Sequence, residues 1–224
     1  MSVWPTPHEP HRTPWQPDPH PPSPLPSSPS QSHFVDSRPD WLGERLLDQR
    51  VVSLAGPLDA EAANRAAASL ALLDTSGDDP VELRLCDVDT DLDTDLDIAL
   101  TLVDTLDLMG VPVHATCLGE VVGPAIAILA VADYRTAARH ATLHLREPRP
   151  RWSGHAGDIA THAEHHQRRL RLLQERIARA CRRSVDAVAA DMRTGRILTA
   201  EEAHGYGLVD AVAAGPSRLT DSYT

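Results

Sequence analysis

The stretch Leu46-Leu47-Asp48-Gln49-Arg50-Val51-Val52-Ser53-Leu54-Ala55-Gly56-Pro57-Leu58-Asp59 sets the architecture. Residues 50–55 form a short apolar run closed by Gly56-Pro57, the signature of a buried strand. Asp59 then offers a carboxylate to the unpaired amides of a helix start. Residues 60–73 are rich in alanine and leucine, which favour helix. A buried strand leading straight into a helix is the first half of a β–α–β unit, and the pattern repeats downstream. Residues 81–85 alternate apolar and polar, predicting a strand. Ala99, Leu102, Val103 and Leu106 fall at helical spacing within 98–109. Residues 111–118 predict a third strand. A helix is expected from Pro124 through Ala132, with the proline in the first turn, where its missing N–H would be unpaired anyway. Residues 141–145 predict another strand.

The longest helix is expected over about residues 158–183, with Leu170, Leu173, Ile177 and Cys181 as its apolar stripe. Ser184 can cap a short helix after it. Thr199-Ala200-Glu201-Glu202 has the form of a capping box, opening a helix that Gly205 and Gly207 end, and Leu208-Val209 closes the domain. Strands alternating with helices predict an α/β fold with a largely parallel sheet. That class hosts many chemistries, so function has to come from particular residues.

Composition narrows the choices. The first 40 residues hold 12 of the 19 prolines and almost no apolar clusters. Such a segment cannot bury enough surface to offset its ordering entropy, so residues 1–40 are expected to be a disordered Pro/His/Ser-rich tail. The folded domain is expected over residues 41–213, with a flexible tail at 214–224. The start lacks the basic-then-apolar form of a secretory signal, and no stretch is long and apolar enough to span a bilayer. The cytoplasm is the expected compartment, with no membrane partner. Cys86, Cys117 and Cys181 are odd in number and far apart, which predicts reduced thiols. A net charge of -11 and few aromatics argue against nucleic acid as a partner.

The segment Gly119-Glu120-Val121-Val122-Gly123-Pro124-Ala125-Ile126-Ala127 joins an expected strand to an expected apolar helix. Its layout resembles the nucleophile turn of the Clp protease proteolytic subunit (ClpP) family, which reads Gly-x-Ala-Ala-Ser-Met-Gly-Ala there. The opening block at residues 46–59 is similar to that family's start. Leu198-Thr199-Ala200-Glu201-Glu202-Ala203-His204-Gly205-Tyr206-Gly207-Leu208-Val209-Asp210 is similar to its Ser-Ala-x-Glu-Ala-x-x-Tyr-Gly-Leu-Ile-Asp stretch. The resemblance runs over about residues 41–212. It implies a ClpP/crotonase-like fold of repeated β–α–β units with a protruding handle helix.

The resemblance also implies a serine peptidase, in which a serine attacks, a histidine takes its proton, an aspartate orients the histidine and backbone N–H groups hold the oxyanion. The residues at those places depart from the pattern. Gly123 stands at the serine and has no nucleophile. Pro124 stands where the next residue lends an oxyanion N–H, and proline has none. In Leu143-His144-Leu145-Arg146-Glu147-Pro148, Arg146 stands at the histidine; a guanidinium stays protonated near neutral pH and cannot act as a base. Gly195 stands at the aspartate. The family's Ser-Pro-Gly-Gly segment, the source of the second oxyanion N–H, is replaced by the aspartate-rich run 87–97. His144, on the same strand face as Arg146, is a candidate relocated base. No Ser, Thr or Cys lies between residues 118 and 132 to serve it, and Cys117 reads as a buried small hydrophobe. Arg146 and Glu147 are read either as a polar contact near the vacated pocket or as ordinary surface charges.

Two clusters lie outside that scheme. Asp87, Asp89, Asp91, Asp93, Asp95 and Asp97 recur at every second position. Oxygens so placed suit a hard cation, with Asp89, Asp91 and Asp93 as candidates, but six like charges repel and favour a solvated loop. His162, His165 and His166 sit near the start of the long helix. His162 and His166 are one turn apart and could share a transition metal, or could simply line a polar face. No cofactor is implied.

The long helix carries Arg168, Arg169, Arg171, Arg176, Arg179, Arg182 and Arg183. In the resembled family the corresponding element joins stacked rings. A partner-facing helix pairing with acidic subunits is therefore expected, with a simply solvated basic face as the alternative. Three functions follow. The first is a non-catalytic subunit of a heptameric ring, made of this chain alone or with ClpP paralogues and serving an AAA+ unfoldase. The second is a working ATP-dependent peptidase with a rearranged site. The third is a crotonase-like protein acting on an acyl thioester, a reading weakened by the loss of paired oxyanion donors.

Overall fold

The computed structural model describes residues 41–89, 96–150 and 153–213. Among them are seven strands and seven helices. In chain order they are α1 (Trp41–Asp48), β1 (Val51–Pro57), α2 (Ala60–Thr75), β2 (Val81–Asp89), α3 (Leu96–Asp107), β3 (Val113–Val122), α4 (Ala125–Val131), β4 (Tyr134–Ala138), β5 (Thr142–Leu145), α5 (Ala156–Cys181), α6 (Val185–Thr194), β6 (Arg196–Thr199), α7 (Ala200–Tyr206) and β7 (Ala211–Ala213).

The main sheet has the order β1-β2-β3-β4-β7, and every pair in it is parallel. On β2 the side chains of Val81, Leu83 and Leu85 are fully buried, while the residues between them are half-exposed. One face of the strand therefore meets the core. That core is filled by Leu70 and Leu73 of α2, Leu102 and Leu106 of α3, and the apolar length of α4. The expected stripe of α5 is buried as read: Leu170, Leu173, Ile177 and Cys181 all pack inward. Asp59 caps α2 through a 2.7 Å bond from the Ala62 amide, and Ser184 caps α6 in the same way. Thr199 and Glu202 complete the reciprocal capping box of α7, and Gly207 ends that helix with φ 90°.

Several details differ from the sequence reading. The third strand does not end at residue 118. It continues to Val122, because Glu120–Val122 pair with Thr142–His144 of β5 after the strand has left β4 at Cys117. Gly119, at φ 76°, sits at this change of partner, and Asp87 fills the space a side chain there would need while accepting the Glu120 amide at 2.9 Å. β4 and β6 are strands that local pattern does not mark. β6 exists through antiparallel pairing with β5. β7 at residues 211–213 adds a strand after Leu208-Val209. The aspartate run is not one strand: Asp87 has φ 49°, Asp89 ends β2, and Asp97 lies in the first turn of α3. Asp91, Asp93 and Asp95 lie outside the described residues.

Several arginines of the long helix have partners within the chain. Arg169 pairs with Asp97 at 2.5 Å and Arg176 pairs with Asp107, so both clip α5 to α3 of the same chain. Arg171 reaches Asp186 and Glu175, and Arg168 lies near Glu164. Arg183 stacks on the Tyr206 ring, 3.9 Å from its centre. Arg169, Arg171 and Arg176 find partners on other elements because the flanking α3 and α6 carry Asp97, Asp107 and Asp186.

Candidate functional site

The fork in β3 builds the site. Its last residues, Val121 and Val122, are buried and deliver Gly123 to the start of α4. Gly123 has φ 60°, a region open to glycine at no steric cost. Its N–H donates to the His144 carbonyl at 2.9 Å, so the amide is already spent on the β3–β5 junction. Pro124 is the N-cap of α4 at φ -56°, with no side-chain cap. The Gly123 and Pro124 carbonyls accept from Ile126 and Ala127. The turn thus presents no hydroxyl, no thiol and no proline N–H. The start of α4 is a buried apolar plug, residues 125–130.

β5 forms the neighbouring wall. Its burial alternates, with Leu143 and Leu145 inside and His144 and Arg146 half-exposed on the opposite face. Arg146 donates to the Asp89 carboxylate at 3.1 Å, joining the end of β5 to the end of β2. Its side chain is 27% exposed and that of Asp89 58% exposed, so solvent screens the pair and it contributes little to stability. Asp89, read from sequence as a possible metal ligand, is therefore held by a guanidinium. Of the two readings for Arg146, the polar contact is the one observed. The adjacent Glu147 accepts from Gln174 at 3.4 Å, and burial raises its pKa.

β6 and the end of α6 close the other side. Gly195 is the C-cap of α6 at φ 69°, its N–H bonded to the last carbonyls of that helix. A Cβ at this position would lie 3.5 Å from His144 Nε2. Ile197, 58% exposed, stands directly across from His144 in the β5–β6 ladder. The fold therefore gathers Gly123, Pro124, His144, Arg146 and Gly195 at one place, together with Asp89. Sequence reasoning missed the pairing of Asp89 with Arg146 and the place of Ile197. The alternation of β5 carried part of the signal, but nothing local pointed to partners some fifty residues away.

The remaining candidates stand apart. His162 is exposed and His166 half-buried on α5. Among the described residues no group of three or more His, Cys, Asp or Glu side chains is arranged to hold a metal ion. Cys117 is buried, as read, and burial pushes its thiol up to about 12. Such a thiol is a packing group and a poor nucleophile. Cys86, Cys117 and Cys181 are all free. No helix among the described residues is long and apolar enough to cross a membrane.

Comparison with known proteins identifies the family. The family model for Clp protease matches residues 36–216. A Streptomyces coelicolor protein described as ATP-dependent Clp protease proteolytic subunit-like is 33% identical over 177 residues, covering 76% of this chain and 82% of its own length. The ATP-dependent Clp protease proteolytic subunit 1 of Nocardia farcinica is 30% identical over 171 residues, covering 75% of this chain and 84% of its own. The family model spans most of the chain, so the chain, with its seven-stranded α/β fold, belongs to the Clp protease family.

Proposed function

We propose that this chain is a non-catalytic homologue of the Clp proteolytic subunit, with a structural or regulatory role in a cytoplasmic Clp protease assembly. The observation that carries this reading is the pair Gly123-Pro124. One residue has no nucleophile and an amide committed to His144, and the other has no amide to give. The residues around it point the same way. Arg146 is tied to Asp89, and Gly195 offers no carboxylate. Loss of all these groups together, with the core and caps of the fold kept, fits a subunit retained for assembly. The named relatives are proteolytic subunits, so a ring of seven, shared with active paralogues and fed by an AAA+ unfoldase, is the setting this reading gives it.

The test has two arms. Purified protein should hydrolyse no fluorogenic peptide and should resist serine-reactive probes; labelling at a single residue would overturn the catalytic half. Mass photometry, alone and with an active paralogue, should show ring-sized species. Monomer under both conditions would remove the assembly half.

A further inference from the structure

α5 is one continuous helix from Ala156 to Cys181, but its two halves stand in different surroundings. Every buried residue lies in the second half: Leu170, Leu173, Gln174, Ile177, Ala178 and Cys181. Residues 156–169 bury none. Arg169, at the end of this first half, ties it to α3 through Asp97. Within the half, the Thr161 hydroxyl bonds back to the Gly157 carbonyl at 3.1 Å, and Arg168 lies 3.9 Å from Glu164. Both are weak supports, since such back-bonding does not favour helix and an exposed ion pair contributes little. The composition does not help. Gly157, Thr161 and three histidines are all poorer helix formers than alanine. A helical stretch of this length without a buried stripe is marginal in water. His162 and His166 lie one turn apart on it, His162 exposed and His166 half-buried. Residues four apart on a helix are neighbours, with about 5–6 Å between their Cβ atoms. Two imidazoles so placed can reach one ion at the ~2.0–2.1 Å that zinc–nitrogen bonds need. Asp158, one turn before His162, adds negative charge close by. The arginines that follow, Arg168 and Arg169, face Glu164 and Asp97.

We propose that His162 and His166 bind one divalent transition-metal ion of the zinc, copper or nickel class, and that the ion clips the exposed half of α5 in its helical form. The chain supplies two ligands and water the rest. This agrees with the finding that no group of three or more ligating side chains is arranged for a metal among the described residues. Imidazole suits these ions, whereas calcium and magnesium take oxygen ligands. An ion bridging one turn binds only when that turn is helical, so metal binding and helix formation are coupled.

The test is amide hydrogen exchange on the full chain, read on fragments covering residues 156–169, because histidines elsewhere in the sequence can also take up metal. Zinc at about ten times the midpoint of its titration should slow exchange in these fragments about tenfold, since binding favours the closed helix by the factor 1 + [L]/Kd. Magnesium at the same concentration should leave exchange unchanged. His162→Ala and His166→Ala should each abolish the zinc effect. His165→Ala should keep it, because position 165 lies about 100° round the helix from 166. Each variant is compared with and without zinc, so the better helix propensity of alanine cancels. All three positions lie outside the buried stripe of α5, so the variants keep the fold. No slowing in the parent chain overturns the proposal, as does equal slowing by magnesium. Survival of the zinc effect in His162→Ala or His166→Ala overturns it too, and so does its loss in His165→Ala.

Discussion

Replacing Gly123 with serine puts a hydroxyl where the family carries its nucleophile and asks whether that suffices. The backbone there has φ 60°, so any β-carbon meets the steric cost of the left-handed region, about 1–2 kcal/mol. For a folded unit of this size that corresponds to a fall in Tm of about 2–8 °C. The variant should therefore fold, measurably less stable than the parent. Its activity should stay at background for reasons the structure specifies. Nothing at position 146 can take a proton from the new hydroxyl, because Arg146 is a cation paired with Asp89 at 3.1 Å. In a serine hydrolase, loss of the histidine alone costs about 10⁶-fold in kcat. The oxyanion site is missing as well: Pro124 has no N–H and the Gly123 amide is bonded to His144 at 2.9 Å. Removal of a single oxyanion donor costs about 10²–10³-fold. These losses do not simply multiply, but the first alone places Gly123→Ser at least about 10⁶-fold below an active relative. The assay is hydrolysis of a fluorogenic peptide, run beside labelling with a serine-reactive phosphonate. Turnover by the single variant within about 10³-fold of an active subunit would refute the reasoning, since it would mean that a base and an oxyanion site survive.

Other outcomes follow from the same structure. Leu173, 0% exposed at the centre of the buried stripe of α5, should cost about 2–5 kcal/mol when cut to alanine, read as a lower urea midpoint at unchanged m-value. Thr199→Ala removes the oxygen that accepts the Glu202 amide at 3.3 Å and should cost about 1 kcal/mol in the same experiment. Burial raises the thiols of Cys117 to about 12 and Cys181 to about 11, from 9.0 in both cases. Because the folded values lie above the unfolded ones, this stabilisation is complete below pH 9 and is lost as pH rises through the folded values. Cys117→Ala should flatten the alkaline part of a stability–pH curve; an unchanged slope would mean the thiol is not buried as described.

The elements legible in the sequence were those whose signal is local. Arg50 to Asp59 announced a strand and a cap, and both are present, because an apolar run and an N-terminal carboxylate act on their own neighbours. The stripe of α5 was legible because 3.6-residue periodicity is a property of one helix. β4 was not. Tyr134-Arg135-Thr136-Ala137-Ala138 buries one side chain fully, Ala137, and holds its place through pairing with β3 and β7 and through Arg135 bonded to Asp210, 75 residues away. β6 was missed for the same reason. At the site, positions 123, 146 and 195 were singled out by the family resemblance, but the partners found around them were not legible. Asp89 reaches Arg146 across 57 residues, and His144 faces Gly195 only because β5 and β6 run antiparallel. The acids beside Arg169 and Arg176 were not legible either, because charge in a sequence does not reveal which carboxylates the fold will bring beside it.

The forked strand has an evolutionary consequence. β3 pairs with β2 as far as Val121, while its other edge pairs with β4 up to Cys117 and with β5 from Glu120 to Val122. The inward side chains of the β5–β6 wall, Leu143, Leu145 and Leu198, belong to the same core as those of β2 and β3, whereas His144, Arg146 and Ile197 lie on its other side. Substitution at the outward positions can therefore proceed without repacking, while the inward ones are tied to the common core. A lineage can vary such outward side chains without first having to repack its interior. Such a scaffold can shed one trade and be recruited to another within a few substitutions.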